Sequence, residues 1–296
     1  MYVNYSIFII VVIIIIICIT RTKYVRMRNK YMMLNPLYNV VYIIDGKTDL
    51  LGAFTNHLLF ARFLAEYHNL KLAFSNTTDL NNISGFENQK KEISNYTKVS
   101  NDKKEDHIKN RKLIASSLIT YNNSISSNTN KLGDTMNIQK VLLKIGIDKV
   151  INNDSIKNIR QDLLRVLPKT NLNTSKLIAI HFRSGEIIKM KNRYIHSKEY
   201  LHLLQKLKKV YPNHRIIIFT GTLPPKTHDD LITFKGLEIY SNKPNTLETW
   251  RIFIEADVFV MGRSSYSYCP AILRYSSQPT YYKKFWHPKL KSWKNW

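Results

Sequence analysis

The stretch Lys176–Ile187, KLIAIHFRSGEI, decides how the chain is read. Leu177 to Ile180 is a short, unbroken apolar run of the kind that forms a strand buried on both faces. His181, Arg183 and Glu186 then arrive where such a strand leaves its sheet. In open α/β sheets, ligands bind in the crevice beyond the carboxyl ends of the strands. A charged turn also follows strands that carry no site, so the choice between the two readings falls to the rest of the chain.

Outward from that run, strands and helices alternate. A helix is predicted from Ser197 to Tyr211, with Ser197 as its N-cap and Tyr200, Leu203, Leu204 and Leu207 at helical spacing. HRIIIFTG (His214–Gly221) reads as a buried strand, LEIY (Leu237–Tyr240) as a short one, and NTLETWRIFIEA (Asn245–Ala256) as a helix. DVFVMG follows as a strand, SSYSYCPAILRY opens another helix, and PTYYKK supplies a last short strand. That alternation indicates a doubly wound, mainly parallel sheet over residues 171–296.

The N-terminal half opens as strand NVVYIID (Asn39–Asp45), a Gly-containing turn, a helix from Thr55 to Asn69 capped by Thr55, and strand LKLAF. These belong to a second α/β unit, residues 39–170. From about 75 to 135 the chain is dense in Asn, Ser, Lys and Thr, as expected for an inserted, flexible excursion. IQKVLLKIGI and SIKNIRQDLLRVLP then read as two amphipathic helices, the second ending at Pro168.

Residues 1–20 carry no charged side chain, and their apolar core runs unbroken from Ile7 to Ile19. That length, with no basic segment before it and no small-residue cleavage site after it, predicts a single membrane anchor followed by a basic stem, residues 21–38. Arg21, Lys23, Arg26, Arg28 and Lys30 favour a cytosolic globular part. Seven Asn-x-Ser/Thr sequons point the other way, so the side of the membrane stays open. The net charge of +24, from 45 Lys and Arg against 21 Asp and Glu, attracts polyanions of any kind. Lys, Asn, Ile and Tyr are all abundant, so part of that surplus is compositional, and nucleic acid is not expected as a partner.

At the strand ends, a helix starting near Ser264 and Ser265 aims free backbone N–H groups and its positive dipole end at the crevice, which suits a phosphate. Arg183 offers a planar fork for two phosphate oxygens. Plain N-caps and a surface ion pair would account for the same residue types. There is no His/Cys/carboxylate cluster at metal spacing and no P-loop, so no metal or cofactor is expected. The tail KKFWHPKLKSWKNW interleaves aromatics with lysines, which suits either a membrane-interface foot, a sugar-stacking rim or single-stranded nucleic acid, or else a segment docking its rings on the sheet.

HFRSGE resembles the His-x-Arg-Arg-x-Asp motif of the GDP-fucose-dependent fucosyltransferase superfamily. LETWRIFIEADVFVMGRSSYSYCPAIL (Leu247–Leu273) is similar to that superfamily's later block, and DLLGAFTNHLLFARFLAEYHNLKLAF (Asp49–Phe74) more loosely to its N-terminal turn and helix. The resemblance covers Leu177 to Trp286 and, weakly, Val40 to Phe74. It implies a GT-B-like glycosyltransferase with two Rossmann-type domains, a nucleotide-sugar donor and metal-independent, inverting transfer to a glycan or glycoprotein acceptor. It also implies that Arg183 grips the donor diphosphate and His181 sits beside the nucleotide. Ser264 opens the helix whose N-terminus, with Ser265 and Ser267, takes the phosphates, and Asp257 contacts or supports the base. Ser184 stands where the motif has its second Arg and Glu186 where it has Asp, which leaves the sugar and the nucleobase open. The base that takes the acceptor's proton is expected at Asp45, with Glu186, Asp49, His57 and His196 as other options. The alternatives are a transferase for another nucleotide sugar and a non-catalytic tethered module that holds acidic glycans or nucleic acid.

Overall fold

The computed structural model describes residues 32–35, 40–43, 51–69, 71–74, 110, 113–114, 117–118, 135–136, 138–183, 193–221, 231, 233–241 and 246–296. The predicted anchor, residues 1–20, lies outside them. Among the described residues no helix is long and apolar enough to cross a membrane.

The larger of two sheets contains β5 (Leu177–His181), β6 (Arg215–Thr220), β7 (Leu237–Ser241), β8 (Val258–Val260), β9 (Thr280–Tyr282) and β10 (Lys294–Asn295). All of its pairings are parallel, in the order β10-β9-β8-β5-β6-β7. Numbered within the sheet, this is the order 6-5-4-1-2-3 of the doubly wound nucleotide-binding fold, with its reversal between β5 and β8. The parallel α/β sheet predicted for the C-terminal part is therefore present, with six strands where five were expected. The final strand, β10, was not predicted: two residues within a lysine-rich tail carry no period of their own.

Strand periodicity explains why the sheet is covered on both sides. Leu177, Ala179, Ile217 and Phe219 point into one core cluster, while Ile178, Ile180, Ile216 and Ile218 point into the other. Both sets are buried, so the strands read as continuous apolar runs rather than alternating ones. The second face is packed by α5 (Ser197–Val210) through Tyr200, Leu203, Leu204 and Leu207. Each of these contributes about 1.5–3 kcal/mol of burial. The N-cap of α5 is His196, whose Nδ1 accepts from the Lys198 N–H at 3.3 Å, while Ser197, predicted to cap it, is the first helical residue. Glu199 Oε1 completes the capping box by accepting from the His196 N–H at 3.4 Å.

The first face carries α6 (Thr246–Glu255) and α7 (Ser265–Ile272), with α1 (Leu51–Tyr67), α2 (Ile138–Ile145), α3 (Ile147–Val150) and α4 (Asn153–Val166) beyond them. Helix α1 begins one turn earlier than predicted. Thr55 therefore lies inside it, fully buried, and is not its cap. The contact of α1 with α7 is backbone to backbone: a Cβ on Gly52 would lie 2.5 Å from the Tyr266 nitrogen. Cys269 Sγ closes the same contact on the Gly52 carbonyl at 3.1 Å.

The smaller sheet has the order β3-β2-β1-β4, formed by β1 (Met32–Asn35), β2 (Val40–Ile43), β3 (Lys71–Phe74) and β4 (Thr135–Met136). Only β2 and β3, the pair joined through α1, are parallel; β1 runs antiparallel to both β2 and β4. This mixed sheet differs from the second Rossmann-type sheet expected, and its first strand falls within the predicted basic stem. The polar excursion also contributes to the core: Ile114 and Leu118, one helical turn apart, are fully buried.

Arginines terminate the helices. Arg274 is almost fully buried, and its guanidinium donates to the carbonyls of Phe253 (2.6 Å), Ile254 (3.2 Å), Asp257 (3.1 Å) and Pro279 (3.3 Å). Burial pushes its pKa down to about 9, yet the last carbonyls of α6 need the charge. Arg251 does the same for α4 through Leu164, Leu167 (2.8 Å) and Pro168 (2.7 Å).

Candidate functional site

The reversal of strand order places the exits of β5 and β8 side by side, where the fold opens its crevice. Phe182 stays paired with β6 through its N–H to the Phe219 carbonyl (3.0 Å), so Arg183 is the first residue to leave the sheet. From β8, Met261 remains bonded to Tyr281 (3.0 Å), and Gly262 then turns the chain toward α7. A Cβ on Gly262 would lie 2.8 Å from the His181 carbonyl oxygen and 3.0 Å from its Nδ1. Only glycine lets the two exits pass this closely.

The close passage brings Arg183 to Ser264. Arg183 Nη1 donates to Ser264 Oγ at 3.2 Å, across 81 positions of sequence. Ser264 is the N-cap of α7, its Oγ also accepting from the Tyr266 N–H at 3.2 Å. A guanidinium and the positive end of a helix thus converge on one hydroxyl. Arg263 stands beside them, with its Nη1 on the Tyr194 carbonyl at 3.0 Å. His181 lies beneath, its pKa lowered to about 3, first by burial and then by the charge of Arg183. Its ring is neutral at physiological pH, and its buried Nδ1 has no hydrogen-bond partner among the described residues. The cationic groups and the dipole give the crevice a positive potential, the kind that favours an anion.

The other predicted residues fall differently. Ser265 faces the C-terminal segment, with its Oγ 2.8 Å from His287 Nε2. Ser267 is fully buried, and its hydroxyl faces the carbonyls of Gly262 (3.0 Å) and Ser264 (3.1 Å), so it braces the turn and does not reach a ligand. Asp257 corrects the sequence reading most clearly. It precedes β8 and so lies at the amino end of the sheet, accepting from the Lys176 N–H at 2.6 Å and pairing with His214 Nε2 at 3.4 Å. A residue there cannot touch a nucleobase bound at the opposite end. Asp45, Asp49 and Glu186 lie outside the described residues. His196 is occupied as a helix cap, while His57, on α1, is close enough to His287 for its charge to depress that pKa.

His287 was not singled out from the sequence. Only 7% exposed, it stacks on Tyr268 with ring centroids 4.5 Å apart, its Nδ1 facing Asn56 Nδ2 at 3.4 Å and its Nε2 receiving the indole N–H of Trp286 at 3.2 Å. Burial, reinforced by His57, lowers its pKa to about 3. Trp286 is 41% exposed, with the Arg193 guanidinium 4.4 Å from its ring centroid. The rule that drew attention to the exit of β5 applies equally to that of β9, where Trp286 and His287 follow. The tail's other rings dock: Trp293 is buried against Tyr268 and Tyr282, and Trp296 packs on Tyr200.

Among the described residues no group of three or more His, Cys, Asp or Glu is placed to hold a metal ion. Comparison of the chain with protein-family models and with curated proteins gives no match.

Proposed function

We propose that the chain is a glycosyltransferase of GT-B type that takes a sugar from a nucleotide sugar, with GDP-fucose the first donor to test, and passes it to a glycan or glycoprotein acceptor without a metal. The observation that carries this reading is the Arg183–Ser264 contact at the strand-order reversal of a parallel sheet. As the sugar–phosphate bond breaks, negative charge gathers on the diphosphate. A fixed guanidinium, the proton of Ser264 and the N-terminus of α7 stabilise that charge more than they stabilise the bound donor, which lowers the barrier. In this reading the smaller sheet with α1 forms the acceptor side, Asp45 or Glu186 takes the acceptor's proton, and residues 1–20 tether the enzyme to a membrane as a single-pass anchor.

The test is nucleotide release from a panel of GDP- and UDP-sugars, with and without EDTA, beside an Arg183→Ala control. EDTA-resistant release from one donor, lost in the variant, supports the proposal. No release and no donor-induced thermal stabilisation would overturn it in favour of a non-catalytic binding module.

A further inference from the structure

The two adjacent serines at the start of α7 carry opposite hydrogen-bond polarity, and the contacts around His287 account for the difference. Ser264 Oγ receives two donors, Arg183 Nη1 and the Tyr266 N–H, which occupy both of its lone pairs. Its own proton therefore remains free to point at a ligand acceptor. Ser265 Oγ meets a ring nitrogen instead, at 2.8 Å.

Which of the two atoms gives the proton depends on the tautomer of His287. An indole nitrogen can only donate, and the Trp286 N–H is directed at His287 Nε2. Nε2 must then present a lone pair, so the proton of the neutral ring sits on Nδ1. The Asn56 atom facing that proton has to be the carbonyl oxygen. With the amide nitrogen against Nδ1, at 3.4 Å, a donor would face a donor. Turning the amide over, a change of assignment that moves no atom position, replaces a donor facing a donor with a hydrogen bond. Ser265, facing the same lone pair on Nε2, must donate to it. What Ser265 then has left to offer, at the first residue of α7, is oxygen lone pairs and no proton.

We propose that Asn56, Trp286 and His287 fix Ser265 as a hydrogen-bond acceptor beside Ser264 as a donor, so that a ligand lies in one direction only. Its anionic phosphate oxygens lie toward Arg183 and Ser264, and an O–H or N–H group, from a sugar or a nucleobase, lies toward Ser265. The exposed ring of Trp286, next to His287, is placed to stack on that second group. This rests on the proposed nucleotide-sugar site for the identity of the ligand, but the polarity of the serines stands independently of it. It also revises the expectation that both Ser264 and Ser265 hold phosphate.

Two measurements test it on the full-length protein in detergent. The first is the ¹⁵N spectrum of its labelled histidines, with the His287 signals identified by their loss in His287→Gln. The expected result is a neutral ring protonated on Nδ1, unchanged from pH 8 to pH 6; a ring protonated on Nε2, or an imidazolium, overturns the proposal without reference to any ligand. The second is calorimetric titration with inorganic pyrophosphate. Ser264→Ala should weaken binding about tenfold, the effect of one charge-assisted hydrogen bond, and Ser265→Ala should change it less than twofold. Equal losses in the two variants would overturn the assignment. If pyrophosphate fails to bind the unmodified protein at all, the nucleotide-sugar reading and the predicted ligand direction fall together, and the tautomer spectrum alone decides the polarity of the serines.

Discussion

The two ends of the large sheet use similar residue types for opposite purposes. At the amino end, Asp257 binds the Lys176 N–H and His214, Arg215 pairs with Glu238 at 2.9 Å, and Arg274 satisfies a ring of carbonyls. Apart from His214 Nδ1, those groups have partners. At the carboxyl end, the buried Nδ1 of His181 and Nε of Arg263 lack partners among the described residues. Leaving such atoms unpaired costs about 1–3 kcal/mol each, a cost that a bound ligand can remove. Strand polarity explains the contrast. Every parallel strand delivers its exit turn to the same end, so groups that could serve a ligand collect there, while the opposite end is available for fastening.

Substitutions that separate the two ends should show this in different measurements. The largest effect is expected at the amino end: Arg274→Leu removes a buried donor from several carbonyls and should lower the free energy of unfolding by at least about 3 kcal/mol in urea titration. A loss below about 1 kcal/mol would mean that those carbonyls find other partners.

Acid should weaken the carboxyl end next. His181 and His287 each have a folded pKa near 3, below the ordinary 6.5. As pH falls below 6.5 the unfolded chain takes up protons that the folded chain refuses, so stability present above that pH is lost progressively down to about 3. At pH 5 the loss is about 2 kcal/mol for each histidine, at roughly 1.4 kcal/mol per pH unit. His287→Gln should flatten the pH dependence by its share, read as the difference in urea midpoint between pH 8 and pH 5; an unchanged dependence would show that the ring is protonated in the fold.

Arg183→Ala should cost about tenfold or more in donor or pyrophosphate affinity, near 1.4 kcal/mol, while the thermal midpoint stays level or rises. A drop in midpoint without a change in affinity would make Arg183 a fastening residue like those at the other end. The smallest effect belongs to Arg215→Ala, where a half-exposed ion pair contributes under about 1 kcal/mol and should fade with added salt.

Much of the large sheet was legible because its elements carry local periods. Buried parallel strands such as Leu177–His181 and Arg215–Thr220 are apolar runs, and α5 repeats its apolar residues at helical spacing. The N-cap of α7 at Ser264 was readable for the same reason, as a polar residue directly before the helix. Misreadings arose where a local signal had a nonlocal competitor. Thr55 looks like a cap, but packing against α7 sets the helix start one turn earlier, whereas at Ser197 the competitor is its neighbour, His196, whose Nδ1 takes the Lys198 N–H. Asp257 lies in a block resembling a nucleotide-binding motif, yet its position before β8 puts it at the far end of the sheet.

The sequence by itself determined that Leu177–Trp296 forms an α/β sheet with its polar residues at the strand ends, because side-chain period and turn chemistry act within a few residues. Only the tertiary structure decided which of those polar residues meet. Arg183 reaches Ser264 because Gly262 lets two strand exits pass, and Asn56 reaches His287 across 231 positions because α1 lies backbone to backbone on α7. Hydrogen bonds of about 3 Å depend on where the chain returns in space, and no local pattern encodes that return.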